Sequence, residues 1–138
     1  MKSIFITALL ILINSCGPEK DLANCHSYVN IINNSNKVIY FGGIGGTSAI
    51  GYNPLKSGDY FKIPIGTSKK DPYGRERGCY EDLFTENNNK LYYLFYDEQV
   101  LLNNTWEDVV ANDLVLKRYS FTVQEMQAAN WTIIYDGN

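Results

Sequence analysis

One histidine, His26, stands among 138 residues. A site built from several histidines is therefore out of reach for a single chain, and zinc is a poor match. Basic charge is also scarce: 12 Lys and Arg against 15 Asp and Glu leave a formal charge of −3. That balance provides no electrostatic footprint for nucleic acid. No apolar run is long enough to cross a bilayer as a helix, which takes roughly 20 residues. The chain has no Gly-x-Ser-x-Gly elbow, no EF-hand loop and no internal repeat. Its glycine-rich stretch, Gly42-Gly43-Ile44-Gly45-Gly46-Thr47-Ser48, matches neither Gly-x-Gly-x-x-Gly nor a Gly-Lys-Ser/Thr phosphate loop. It reads as a flexible connection or bulged edge. Acidic neighbours occur at Glu81/Asp82, Asp97/Glu98 and Glu107/Asp108. Adjacent carboxylates cannot face each other across the roughly 5–9 Å that glycoside hydrolysis uses, so a dyad would have to join separate elements. Three Asn-x-Ser/Thr sequons, at Asn33, Asn103 and Asn130, are read as chance.

What the chain does have begins with an address. Lys2 precedes an apolar run from Ile4 to Ile13, broken only by Thr7, and Asn14-Ser15-Cys16 follows. The run has the length of a signal peptide. A small residue before a cysteine at this point resembles the lipobox of bacterial lipoproteins. That resemblance implies cleavage before Cys16 and its acylation, palmitate included; the alternative is an ordinary secretory signal with a coincidental cysteine. Several acyl chains, at about 0.8 kcal/mol per buried methylene, make a durable anchor. Residues 1–15 are then the signal peptide, 16–24 the lipidated cysteine with a polar tether, and 25–138 a single domain, as the length suggests. Gly17 rather than Asp follows the cysteine, so the familiar inner-membrane retention signal is missing. The charged tether Gly17-Pro18-Glu19-Lys20-Asp21 resembles the export signals of Bacteroidetes surface lipoproteins. The expected location is the cell envelope, as an outer membrane lipoprotein, with the outer face as the further expectation. Losing Lys2 leaves 11 basic and 15 acidic side chains, an ordinary balance for an exported domain.

Cys25 and Cys79 remain. In an oxidising compartment the simplest pairing is a disulfide between them. The competing reading keeps one of them as a nucleophile with His26.

The organising stretch is Leu91-Tyr92-Tyr93-Leu94-Phe95-Tyr96, too short for a buried helix and rich in strand-forming aromatics. Leu91, Tyr93 and Phe95 would point to one face, and Tyr92, Leu94 and Tyr96 to the other. Ser27–Asn33 and Lys37–Phe41 flank the turn residues Asn34-Ser35-Asn36 and read as a hairpin. Tyr60–Ile65 is an edge strand because Pro64 cannot donate to a ladder. Gly66–Gly78 is a solvated loop, Leu114–Phe121 a strand, and Trp131–Tyr135 a terminal strand expected beside the organising one. Cys79–Phe84 is either a short helix or a bend. Asp97, Thr105 and Thr122 are candidate helix caps, the last in a capping box with Glu125. Six strands without βαβ alternation predict a mainly β fold. The expected form is a two-layer antiparallel β-sandwich, immunoglobulin-like or transthyretin-like in outline, with two or three short helices in the second half.

The order of Asp97, Trp106-Glu107, Lys117-Arg118-Tyr119-Ser120-Phe121-Thr122 and Asn130-Trp131-Thr132-Ile133 resembles a group of uncharacterised small lipoproteins of Bacteroidetes, over about residues 90–136. The resemblance implies a lipid-anchored β-rich domain and brings no catalytic residues, cofactor or metal. Eleven tyrosines against six phenylalanines suit either a thin core or a contact surface. The functional expectation is a non-catalytic binding or accessory module for a glycan or envelope protein, held to the membrane by Cys16 and making contact through Tyr52 and Tyr73. The alternatives are an envelope hydrolase with a carboxylate pair and an inhibitor or immunity-type lipoprotein.

Overall fold

The computed structural model describes residues 25–72 and 78–138. The signal peptide, Cys16, the tether through residue 24, and Tyr73 lie outside the described residues. Strands β1 (Tyr28–Asn33), β2 (Ile39–Gly45), β3 (Lys62–Ile63), β4 (Ser68–Pro72), β5 (Leu91–Asp97), β6 (Lys117–Phe121) and β7 (Thr132–Tyr135) form two sheets. A four-stranded sheet runs in the order β3-β2-β5-β6, and a three-stranded one in the order β4-β1-β7. Among the described residues four α-helices, α1 (Tyr80–Glu86), α2 (Glu98–Asn103), α3 (Trp106–Ala111) and α4 (Val123–Ala128), all fall in the second half, one more than the sequence suggests.

The organising stretch is β5, antiparallel to β2 on one side and to β6 on the other. Its two faces feed two cores. Leu91, Tyr93 and Phe95 enter the larger cluster, which also takes Val29 and Ile31 from β1 and Ile133 and Tyr135 from β7. Both sheets therefore contribute to one apolar interior. Leu94 and Tyr96 enter a smaller cluster covered by Leu101 of α2 and Val109 of α3. The predicted caps hold: the Asp97 side chain accepts from the Gln99 N–H, Thr105 from that of Asp108 and Thr122 from that of Glu125.

Several expectations are corrected. Residues 27–41 are no hairpin, since β1 and β2 belong to different sheets. The buried Asn33 amide explains the corner: its Nδ2 donates to the carbonyls of Lys37 (2.7 Å), Ile63 (3.0 Å) and Pro64 (3.3 Å). Its Oδ1 accepts from the Ser35 hydroxyl at 2.7 Å. A turn tied this way passes the chain from one sheet to the other. The terminal strand does not lie beside β5. β7 pairs with β1, in parallel, at an edge of the other sheet, so pairing is not antiparallel throughout. Ile133 and Tyr135 are buried while Ile134 is 52% exposed, so its apolar outer face suggested a central position it does not occupy. The loop expected over 66–78 hides β4, whose inward residue is the acid Asp71, so hydrophobic alternation gives no sign of it. Tyr60–Ile65 shrinks to the two residues of β3, preceded by a 3-10 segment, Pro54–Tyr60, that the Asn53 side chain caps. The Cys79–Phe84 ambiguity resolves as α1, and Leu114–Phe121 begins as a strand only at Lys117.

Candidate functional site

Alternation along β1 buries Val29 and Ile31 and turns Tyr28 and Asn30 outward. Register then sets Lys70 of β4 and Thr132 of β7 on either side of Asn30. At one end of this outer face, His26 and Trp131 close a cleft of about 530 Å³, with Ser27, Tyr28, Asn130 and Cys25 completing its lining. Among the described residues, no Asp or Glu lines it.

The His26 wall is held from several directions at once. Cys25 and Cys79 form a disulfide, Cα to Cα 4.9 Å. The Tyr80 N–H donates to the His26 carbonyl at 2.8 Å. Glu81, in the first turn of α1, accepts from the His26 backbone N–H at 3.1 Å and lies 2.6 Å from its ring Nδ1. A carboxylate can only accept, so this contact places the ring proton on Nδ1. The imidazole stacks on the Trp131 indole, with centroids 4.2 Å apart and planes 18° from parallel. The His26 side chain is 42% exposed, whereas Trp131 is only 4% exposed. The indole is thus a support for the imidazole rather than a platform in its own right.

Trp131 reaches this position through an unusual corner. Asn130 and Trp131 both have positive φ, 48° and 53°. Asn visits this region readily, but a bulky residue does so only when its surroundings compel it, at a cost of order 1–3 kcal/mol. Here the Trp131 N–H donates to the Met126 carbonyl and its own carbonyl accepts from Asn30, both at 2.8 Å. Such strain concentrates at sites that need a fixed geometry.

Across the cleft, the Lys70 ammonium sits 4.0 Å from the centroid of the Tyr28 ring, a cation–π contact that steadies both side chains. Directly beneath, on the inner side of β4, Asp71 is buried and its Oδ2 accepts from the hydroxyls of Tyr80 (2.7 Å) and Tyr93 (3.1 Å). Burial raises the Asp71 carboxyl above its ordinary value, against the two hydroxyl bonds. Burial first, then the Asp71 charge, raises both tyrosines. The hydroxyls stay protonated and tie β4, α1 and β5 together under the cleft.

Of the residues singled out from the sequence, Cys25 and Cys79 meet in the disulfide, which removes the thiol nucleophile reading, since neither sulfur is free. Tyr52 lies elsewhere. It is 49% exposed, bonds the Ser57 hydroxyl at 2.8 Å and lines a separate groove of about 370 Å³ with Phe61 and Gly42. The acidic pairs are spent on structure: Asp97 caps α2 and pairs with Lys37 at 2.7 Å, Glu98 pairs with Lys62 at 2.7 Å, and Glu107 and Asp108 lie in the first turn of α3. Among the described residues, no three His, Cys, Asp or Glu side chains gather as metal ligands, and no helix is long and apolar enough to cross a membrane. Sequence reasoning missed Tyr28, Asn30, Lys70, Asn130, Trp131 and Thr132. The one usable signal was the Tyr-x-Asn alternation opposite Val29 and Ile31. No family model, curated protein or solved structure matches the chain.

Proposed function

We propose that this chain is a lipid-anchored β-sandwich module of the bacterial envelope, and that the His26–Tyr28–Asn30 cleft receives a glycan. The anchor rests on the lipobox-like run before Cys16, and the sandwich on the larger core cluster that both sheets share. The observation that carries the ligand class is the composition of the cleft. Two half-exposed rings, Tyr28 and His26, stand over amides and hydroxyls from Asn30, Asn130, Thr132 and Ser27. Sugars offer apolar C–H faces to rings and hydroxyls to planar amides, and fixed, supported side chains lower the ordering cost of binding.

A hydrolase reading draws less support. One small cavity has both Asp97 and Asp113 in its wall, but Asp97 is paired with Lys37 and Asp113 with Arg118. Burial acts to raise the Asp97 carboxyl, but the Lys37 bond and the Gln99 N–H outweigh it and hold the group below its ordinary value. A general acid needs the opposite shift.

The test is binding of the full chain, solubilised in mild detergent, to an array of envelope saccharides, followed by calorimetry on the best binder. Tyr28→Ala and Asn30→Ala should each weaken binding by about tenfold, the value of one lost polar or stacking contact, with near-UV circular dichroism unchanged. Undiminished binding in both variants overturns the assignment of the cleft.

A further inference from the structure

The cleft is rich in donors on a molecule whose overall charge is negative. Among the described residues its lining holds an ammonium, two side-chain amides, three hydroxyls and an imidazole, and no carboxylate. A carboxylate bound to a lining residue, that of Glu81, is engaged with the His26 ring and backbone. Lys70 differs in its partners from three other lysines of the chain. Lys37 and Lys62 are each paired with a carboxylate, and Lys69 donates to the Asp59 carbonyl. Among the described residues Lys70 makes no ion pair, and its recorded contact is the Tyr28 ring. Asp71, its neighbour in sequence, points to the opposite face of β4 and is taken by Tyr80 and Tyr93. An ammonium carries three donors, and a ring face satisfies none of them as a hydrogen bond. Lys70 is therefore held over the cleft with no carboxylate among the described residues on its donors, beside the amide of its cross-strand partner Asn30.

We infer that the glycan carries an acid group, and that its carboxylate or phosphate oxygens sit against Lys70 and Asn30 while its ring lies on Tyr28 and His26. This rests on the glycan reading of the cleft and narrows it to acidic saccharides. Sugar acids and sugar phosphates present the same chemistry here, acceptor oxygens with a negative charge, and the strongest bonds available to them are charge-assisted.

The experiment compares matched acidic and neutral probes with the detergent-solubilised full chain. One arm uses galacturonate oligomers against galactose oligomers, and the other mannose 6-phosphate oligosaccharides against unphosphorylated ones, within an array that also holds other acidic and neutral envelope saccharides. An acidic preference of about tenfold or more is expected in at least one class, falling as salt is raised. Lys70→Gln should abolish that preference, read as the ratio of acidic to neutral affinity within the same variant, while Lys70→Arg should restore it. The class that shows the preference distinguishes carboxylate from phosphate. Equal affinity for acidic and neutral saccharides overturns this inference and leaves the glycan reading standing, as does a preference that survives Lys70→Gln. Failure of every saccharide to bind overturns both.

Discussion

Two tyrosines on opposite faces of β5, three residues apart, show how differently one side chain can be used. Tyr93 and Tyr96 are both fully buried, yet the Tyr93 hydroxyl donates to Asp71 and approaches the Tyr80 hydroxyl at 3.2 Å, while the Tyr96 hydroxyl has no hydrogen-bond partner among the described residues. Burial raises the Tyr96 hydroxyl to about 12, so it remains a neutral, desolvated group. Removing one partner of a buried bond costs about 1–3 kcal/mol, whereas removing an unpaired hydroxyl relieves a desolvation penalty. Tyr93→Phe should therefore destabilise by about 2 kcal/mol, and Tyr96→Phe should be neutral or stabilising. Urea midpoints of the two variants check both signs. A pH profile separates the two buried acids in the same way. Asp97 is held below its ordinary value of 3.8. Its stabilisation is complete above the unfolded value and lost as the pH falls through the folded one. Asp71 is raised, so its ionised form opposes folding, and acid relieves that opposition. Asp97→Asn should flatten the loss of stability below about pH 4, as read from urea midpoints between pH 3 and 6.

At the level of elements, the start of the described chain is latched to α1 rather than paired in a sheet. Residues 25 and 26 meet α1 through the disulfide, the Tyr80 N–H and the two contacts to Glu81. The disulfide closes a sequence separation of 54 residues, which in the chain-entropy model stabilises by about 4 kcal/mol. Reduction should lower the midpoint of urea unfolding accordingly and, by leaving His26 held to α1 by hydrogen bonds alone, weaken saccharide binding before the protein unfolds. Titration with dithiothreitol, followed in parallel by circular dichroism and by binding, separates the two losses. The elements that were legible from sequence are those whose signal is local. β5 announces itself by an unbroken apolar run, and α2, α3 and α4 by Asp97, Thr105 and Thr122 at their caps. The partners of β1 were not legible, because they depend on long-range facts. Asn33 turns the chain between sheets by bonds to Ile63 and Pro64, some 30 residues away. β4 carries its inward position on Asp71, which counts as apolar only once Tyr80 and Tyr93 satisfy it. The cleft shared that fate: Lys70, Asn30 and Thr132 lie far apart in sequence and meet through register alone.

The described chain begins at the cleft, since Cys25 and His26 are both part of the lining, so the proposed tether would leave from this end. With Cys16 acylated, as proposed, eight residues separate the lipidated cysteine from Cys25 at the rim of the cleft. A fully extended chain of that length spans at most about 30 Å, so a saccharide meeting the cleft must come within that distance of the anchoring membrane. A free glycan in bulk solvent gains nothing from this arrangement, whereas one fixed to the same surface experiences a high effective concentration. Inserting a flexible Gly/Ser segment of about 20 residues between Gly17 and Ala23 lengthens the reach without touching the cleft, and effective concentration falls roughly as the −3/2 power of linker length. The extended form should bind soluble acidic saccharide as tightly as the original. On vesicles bearing both the anchored protein and a lipid-linked acidic glycan, its occupancy should drop several-fold. Equal occupancy for the two tether lengths would mean that the cleft's nearness to the anchor plays no part in ligand capture, and Cys16→Ala, which should abolish membrane retention while leaving the circular dichroism spectrum unchanged, tests whether the anchor exists at all.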